Sequence, residues 1–431
     1  MRILVENGTY DLRNMGDVAM LQIAVERLEE LWPNAIIEVI TNAPERLAKY
    51  CPRACALSPR GRSRWYKGGK LLGRFGRSVP KSVSRRFPKL EERIMHKWPL
   101  MARFWTRVIM KGRGIDIYFK EIQTFLEALL SAHIVVATGG GYITDAFRSH
   151  ALMLLDTLEI ATQFRIPTAM FSQGLGPIQD PLLWAKARAV LPRVGLIAVR
   201  EGRIAISLLN SLGVAETQVA ITGDDAIELA YKKRAEEVGT GIGVNLRVAT
   251  YSEVDDEIIE IIRPVLQNIA LKHRASLIPL PTHTVSDSYT VSDSSAIREI
   301  LTGYDSIPDG KQILDSPHKI CEQVRSCRVV VTGSYHAAVF ALSQGIPVVG
   351  LAKCSYYIDK FMGLANQFGN DLKVVFLDDE NLSETLTTAV ETSYKNARDV
   401  RLRLTETAKK QIRQSKAAYQ SFYDIVLSRK R

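Results

Sequence analysis

His336 stands in "VVVTGSYHAAVFALSQGIPVVG", where three β-branched residues run into Thr332-Gly333-Ser334-Tyr335-His336 and an apolar helix follows. That order puts the imidazole at the carboxyl end of a strand and in the first turn of a helix, where open parallel sheets hold ligands. An imidazole there suits proton transfer near neutral pH; its plain structural role would be to cap the helix or bond a nearby carbonyl. Arg200 closes "GLIAVR" and Arg247 closes "GIGVNLR". Guanidinium groups at two strand ends match the fork geometry of a carboxylate or phosphate, and the same placement suits an ion pair between domains. His283 follows "LIPLPT" and opens a Ser/Thr/Asp-rich loop, "HTVSDSYTVSDSS", as an acceptor-loop residue. Asp17, Asp145 and Asp224 each stand close behind a glycine at a strand end. Each can act as a base or cap the helix that follows.

Glycine marks these ends: Gly16, the run Gly139-Gly140-Gly141, Gly174 and Gly176 behind Gln173, Gly202 and Gly223. Such turns let backbone N–H groups approach an anion beside a helix start, although any sharp strand-to-helix turn favours glycine. No GxxxxGKS or GxxxxGKT run occurs, which argues against a P-loop nucleotidase. No zinc or paired-metal spacing is present, so neither a metal nor a cofactor is expected.

The elements that must position these residues alternate strand with helix, the pattern of doubly wound α/β sheets. In the first half "RILVEN", "AIIEVIT", "HIVVA", "PTAMF", "GLIAV" and "VAIT" read as strands. "GDVAMLQIAVERLEELWP" reads as an amphipathic helix stopped at Pro33, and "GGGYITD" and "SQGLGP" as turns. "YKKRAEEVGTG" reads as a linker, after which strands recur at "GIGVN", "ASLIPLP", "KQILD", "RVVVT", "PVVG" and "LKVVFLDD". The boundaries predicted are an amino-terminal domain over 1–230 with a basic insert at 51–114, a carboxyl-terminal domain over 238–395, and a helical tail over 396–431. The carboxyl ends of both sheets would face one cleft.

At 431 residues the chain exceeds what one ordinary core holds. Its 46% hydrophobic and 24% charged residues are those of a soluble globular protein. No apolar run reaches the length of about eighteen residues that a spanning helix needs, and the start lacks the apolar core of a signal peptide. Cysteines at 51, 55, 321, 327 and 354 read as small buried thiols in a reducing cytoplasm. The net charge of +11 is concentrated: residues 51–114 hold 18 Lys and Arg against two acids, and the remainder holds 39 against 44. Mixed with Trp65, Tyr66, Phe75, Trp98, Phe104 and Trp105, that segment suits an anionic membrane surface; the bland alternative is a solvated basic loop. No nucleic-acid module accompanies it. The expected location is the cytoplasm, peripheral at the inner face of the cell membrane where the insert engages lipid.

The turns, in this order, resemble the polysaccharide pyruvyl transferase family. The resemblance rests on "NMGDVAMLQIAVERL", "GGGYITD", "SQGLGPI", "AVREGRIAISLLNSLGV", "TGDDAIEL", "GVNLR" and "GSYHAAVFALSQGIPVV" with "YYIDK" after it, between residues 14 and 360. It implies a GT-B-like fold, two Rossmann-like domains facing a cleft, with the acceptor on the amino-terminal side and the donor on the other. It implies transfer of a pyruvyl group from phosphoenolpyruvate, a co-substrate, onto sugar hydroxyls of a surface-polysaccharide precursor, forming a ketal and releasing phosphate. His336, Asp17 and Asp145 would then be catalytic. Arg200, Arg247, Gly333, Ser334, Tyr335 and Lys360 would bind the donor. Asn14, Gly140, Gly141, Gln173, Asp224 and His283 would bind the sugar or lipid-linked glycan acceptor. The chain departs from the family at Ser334, where members carry arginine; either another cation compensates, Lys353 or Lys360, or the donor differs. Two other readings stay open: a GT-B-like glycosyltransferase using a nucleotide sugar, with Glu322 or Asp359 for the ribose, and a non-catalytic glycan-binding member.

Overall fold

The computed structural model describes residues 1–68, 116–247, 254, 256–283, 292–304 and 314–428. The first half builds one parallel sheet from β1 (Arg2–Glu6), β2 (Ile36–Ile40), β3 (Cys55–Leu57), β4 (Ile134–Ala137), β5 (Gly140–Ile143), β6 (Thr168–Leu175), β7 (Leu196–Val199) and β8 (Val219–Ile221). Its order is β3-β2-β1-β4-β6-β7-β8, with β5 paired to β6. The second half builds another from β9 (Gly241–Asn245), β10 (Leu277–Pro279), β11 (Cys327–Thr332), β12 (Val348–Ala352) and β13 (Leu372–Phe376), in the order β10-β9-β11-β12-β13. Central strands are continuous Val/Ile/Leu/Ala runs because helices cover both faces of each sheet. Strand order reverses between β1 and β4 and again between β9 and β11. Loops leaving strands at such points splay apart and leave a crevice. Asp17 follows β1, Gly140 follows β4, Arg247 follows β9 and His336 follows β11, so both crevices contribute to one region.

The Met15–Leu31 helix is buried on two sides, which corrects its amphipathic reading. Val18, Leu21, Val25 and Leu28 pack on the first sheet, while Met15, Ala19 and Ile23 join the core under the Tyr335–Ser343 helix of the second half. Each set recurs every three or four residues, the spacing of one helix face. Apolar contact therefore runs unbroken from one domain into the other behind the cleft.

A 47-residue helix, Leu382–Ser428, closes the chain. Leu386 and Val390 pack in the second domain, whereas Tyr419, Phe422 and Val426 pack under the first sheet. Its far end is held by charge. Arg27 Nη1 lies 2.8 Å from Asp225 Oδ1 and Nη2 lies 2.7 Å from Glu228 Oε2, all nearly inaccessible. Tyr419 donates to Asp225 Oδ2 at 2.8 Å, and Ser415 donates to Oδ1. The Tyr419 ring stacks on Phe171 at 3.7 Å.

Several local expectations change. "GGGYITD" is not a simple turn, because Gly140–Ile143 pairs with β6 as β5. "SQGL" belongs to β6. The register shifts between Met170 and Gln173, and Ser172 takes φ 55° there. This bulge turns the Ser172 hydroxyl toward the Asp225 N–H, which donates to it at 2.8 Å. Cys51, Cys321 and Cys327 are buried free thiols, but Cys55 is exposed and Cys354 half-buried. "KQILD" falls mostly outside the described residues. The basic segment begins inside the fold: in the Pro59–Gly68 helix, Arg62 is 1% exposed and bonds both Glu6 carboxylate oxygens at 2.6 and 2.7 Å. Arg64 pairs with Glu121, and Trp65 and Tyr66 pack on the core. Phe75, Trp98, Phe104 and Trp105 lie outside the described residues. Among the described residues no helix is long and apolar enough to cross a membrane.

Replacing Arg27 with Ala leaves Asp225 buried without its counter-charge, and urea unfolding should show a loss of about 3–5 kcal/mol. Burial raises the Glu228 carboxyl, but bonds and charge from Arg27 and Lys232 outweigh it and hold it at about 2 instead of 4.5. The stability this supplies is complete above pH 4.5 and is lost as pH falls toward 2. Arg27→Ala should therefore also flatten the acid side of a stability–pH curve; an unchanged slope would show that the pair carries no such linkage.

Candidate active site

Asp224 leaves β8 and starts the Ala226–Lys232 helix, where its Oδ1 accepts the Ala226 N–H at 2.9 Å. Its Oδ2 faces two basic partners from different domains. Arg200 Nη1, from the end of β7, lies at 3.5 Å, and His336 Nε2, from the first turn after β11, at 3.6 Å. Both contacts are slightly longer than a hydrogen bond. Burial raises the Asp224 carboxyl, but the close approach of His336 and then Arg200 outweighs it and holds the group below the ordinary carboxylate range. Asp224 is thus an ionised partner for the imidazole.

The Arg200 guanidinium lies 4.1 Å over the Tyr335 ring, a cation–π contact that fixes its plane. Lys360, on the Ser355–Phe368 helix, lies 3.8 Å over the Tyr356 ring and donates to the Tyr356 hydroxyl. Tyr356 in turn donates to the Gly141 carbonyl at 3.3 Å, so the second domain reaches across to β5. Gly141, Gly174, Arg200, Tyr335, Tyr356 and Lys360 line one cleft. Lys360 is pushed well below the ordinary lysine value, first by burial and then by Arg200, with Asp17 opposing. The Asp17 carboxyl is pushed up, first by burial, against the pull of His336, Lys360 and Arg200. A guanidinium and an amine that resists its charge face a reluctant carboxylate, and an anion between these walls would favour the charged amine.

The strand-end glycines make room for side chains. A Cβ at Gly16 would stand 1.9 Å from His336 Cγ, and one at Gly174 would stand 2.6 Å from Arg200 Nη2. At Gly141 it would lie 3.0 Å from Arg200 Nη2 and 3.2 Å from Lys360 Nζ. Gly140 is crowded by the Tyr142 ring, and Gly333 sits where β11 approaches the Arg247 backbone.

Other expected site residues are committed elsewhere. Both Asp145 oxygens accept backbone N–H groups, from Gln179 at 2.6 Å and Asp180 at 3.1 Å, so it braces a loop. Asn14 Oδ1 caps the Met15–Leu31 helix through Gly16 and Asp17. Gln173 is fully buried and donates to the Thr138 carbonyl at 2.6 Å and the Tyr142 hydroxyl at 2.9 Å, a sheet brace and not an acceptor contact. The His283 backbone forms a bridge with Asn14, and Met15 N–H donates to the Thr282 carbonyl at 3.0 Å; these bonds join the domains. Arg247 pairs with buried Asp293 at 3.3 Å and donates to Thr282 Oγ1 at 3.1 Å. Thr282 Oγ1 is 2.8 Å from Ser334 Oγ, so a guanidinium approaches the Ser334 side of the site from β9. Sequence reasoning missed Thr282, Asp293 and Tyr356. Only Tyr356 carried a signal, one helical turn before Lys360. Among the described residues no group of three His, Cys, Asp or Glu side chains is arranged to hold a metal ion.

A family model described as polysaccharide pyruvyl transferase matches residues 14–355. No curated protein matches the chain. Among solved structures, the UDP-GlcNAc 2-epimerase of Neisseria meningitidis bound to UDP-GlcNAc is 12% identical with a TM-score of 0.54, covering 96% of this chain and 99% of that one. The UDP-GlcNAc 2-epimerase of Methanocaldococcus jannaschii is 12% identical with a TM-score of 0.53, over 96% and 98% of the two chains. CalG4, the calicheamicin glycosyltransferase, is 12% identical with a TM-score of 0.50, over 98% and 97%. These likenesses show the two-domain GT-B-like fold.

Gly174→Ala should displace the Arg200 guanidinium while leaving the circular dichroism spectrum intact. Affinity for inorganic phosphate, read by thermal shift, should fall about tenfold or more, the loss of one charge-assisted hydrogen bond. Unchanged phosphate affinity would place the anion away from Arg200.

Proposed function

The chain belongs to the polysaccharide pyruvyl transferase family, and from that premise we propose that its cleft moves a pyruvyl group from phosphoenolpyruvate onto two hydroxyls of a surface-glycan precursor. The observation that carries this reading is the shared Asp224 oxygen, with His336 and Arg200 on it and Lys360 across the cleft. Phosphoenolpyruvate carries a phosphate and a carboxylate on three carbons and calls for more than one cation. Arg200 and Lys360 supply them from opposite domains, and Arg247 adds a guanidinium near Ser334, where the family's arginine is missing.

The chemistry balances without a further reactant. The donor methylene takes a proton and becomes a methyl group. One sugar hydroxyl attacks the central carbon, the C–O bond to phosphate breaks, and a second hydroxyl closes the ketal. Of the two hydroxyl protons released, one balances the methyl group and the other leaves with phosphate. In this scheme His336, oriented by ionised Asp224, accepts a hydroxyl proton. Asp17, whose carboxyl holds its proton more tightly than usual, supplies the one for carbon. Arg200 and Lys360 stabilise charge on the departing phosphate.

A nucleotide-sugar glycosyltransferase shares the fold, and one structural neighbour was solved with UDP-GlcNAc bound. The two carboxylates considered for a ribose are both in ion pairs, Glu322 with Lys233 and Asp359 with Arg203, each at 2.8 Å. That weighs against this reading. Residues 69–115 hold 13 Lys and Arg against two acids, and we assign them to an anionic membrane surface at the cytoplasmic face, where a lipid-linked acceptor would be met.

Phosphoenolpyruvate at about a hundred times its dissociation constant should stabilise the protein by about 2.7 kcal/mol, and His336→Ala or Asp224→Asn should abolish ketal formation with the fold retained. Stabilisation by UDP-sugars alone would replace the donor assignment. Because Lys360 is held below its ordinary value in the free site, an anionic donor should draw a proton onto it. Affinity should then fall as pH rises, and calorimetric heats should depend on the buffer; identical heats in all buffers would remove Lys360 from the donor site. Deleting residues 70–110 should reduce sedimentation with phosphatidylglycerol vesicles, and undiminished sedimentation would refute the membrane assignment.

A further inference from the structure

We propose that Lys360 is a nucleophilic amine that takes a small α-keto acid, of which pyruvate is the simplest, as a covalent imine in the cleft. The proposal goes beyond the transferase reading and does not depend on its donor. Lys360 stands on the Ser355–Phe368 helix and is half-buried, so its Nζ is reachable from the cleft that it lines with Gly141, Arg200 and Tyr356. About 410 Å³ of empty space lies among the lining residues, counting the open mouth. The close partners of the amine are aromatic. Nζ donates to the Tyr356 hydroxyl, lies 3.8 Å over the Tyr356 ring and stands 5.6 Å from the centre of the Tyr357 ring. Among the described residues it has no ion-pair partner of the kind that Arg203 finds in Asp359 at 2.8 Å.

An amine attacks a carbonyl through its lone pair, and an ordinary lysine near neutral pH has that pair tied up in a proton. Burial first, then the charges of Arg200 and Arg247, hold Lys360 well below the ordinary lysine value, against Asp17 and Cys354. A dry pocket and neighbouring cations are how proteins activate imine-forming lysines. The same walls select the ligand. A Cβ at Gly141 would stand 3.0 Å from Arg200 Nη2 and 3.2 Å from Lys360 Nζ, so one small molecule spans both. Arg200 Nη1 is turned to Asp224 at 3.5 Å, which leaves Nη2 for a carboxylate. Arg200 meets the single charge of a keto acid, and the amine keeps its lone pair; a phosphate brings more charge and calls Lys360 into its protonated form. The Tyr356 hydroxyl, which donates to the Gly141 carbonyl at a long 3.3 Å, relays protons beside Nζ. Nζ bonds to the keto carbon, C=N replaces C=O, and the two amine protons leave with the oxygen as water. Nothing is oxidised or reduced.

The test treats the full chain with pyruvate near neutral pH, reduces the imine with cyanoborohydride and maps the modified lysine by mass spectrometry. Lys360 should be labelled about tenfold or more above the exposed lysines, because more of it is free amine. Lys360→Arg keeps a cation and should remove the label, with the circular dichroism spectrum intact. Tyr356→Phe should slow labelling about a hundredfold, the loss of a positioned proton relay. Acetone, which lacks the carboxylate, should be trapped about tenfold less well. Label spread evenly over the lysines, label undiminished in Lys360→Arg, or acetone trapped as readily as pyruvate overturns the proposal. Phosphoenolpyruvate should protect Lys360 from pyruvate. A specific label on Lys360 that phosphoenolpyruvate fails to prevent strikes the donor reading and supports the imine.

Discussion

The carboxylate of Asp225 is enclosed by donors from two distant parts of the chain: Arg27 of the first long helix, and Ser415 and Tyr419 of the last. Burial raises this carboxyl, and those donors work against it. Its own N–H is held by Ser172, at the bulge in β6. One residue earlier, Asp224 points the other way, toward Arg200 and His336. The position of the Asp224 carboxylate is thus fixed by a buried network on the far side of the same backbone. A shift of the returning helix would move Asp225, and Asp224 with it.

That dependence makes the two domains one functional body. The Met15–Leu31 helix carries Arg27 to the network, Asp17 to the cleft and Ile23 into the core of the second domain. Gly16, at its start, leaves the space that the His336 ring fills. Asp224 Oδ2 then meets an arginine from one sheet and a histidine from the other, and neither half holds the complete site.

Charge is handled differently at depth and at the surface. The first arginines of the basic segment are structural: Arg62 neutralises Glu6 in the core, and Arg64 pairs with Glu121. In the cleft, Arg200, Lys360 and Arg247 are held by aromatic rings, hydroxyls and the buried carboxylates of Asp224 and Asp293. The same residue type braces the core in one place and stands at the cleft in another, and only the company it keeps distinguishes them.

The sequence by itself determined the strand runs, their glycine-marked ends, the two doubly wound α/β halves and the placing of Arg200 and His336, because these follow from local backbone preference and from β-branched runs over a few residues. It could not tell that Asp224 serves His336 while Asp145 is spent on Gln179 and Asp180, since both read as an acid behind a glycine. Nor could it tell that Gly16 and Gly174 clear space for His336 and Arg200, or that Arg247 stands beside Ser334 through Thr282. Those relations join residues far apart in the chain. They exist only once helices fix the spacing of two sheets, and the pairing energy of a charge depends on which partner shares its low-dielectric surroundings.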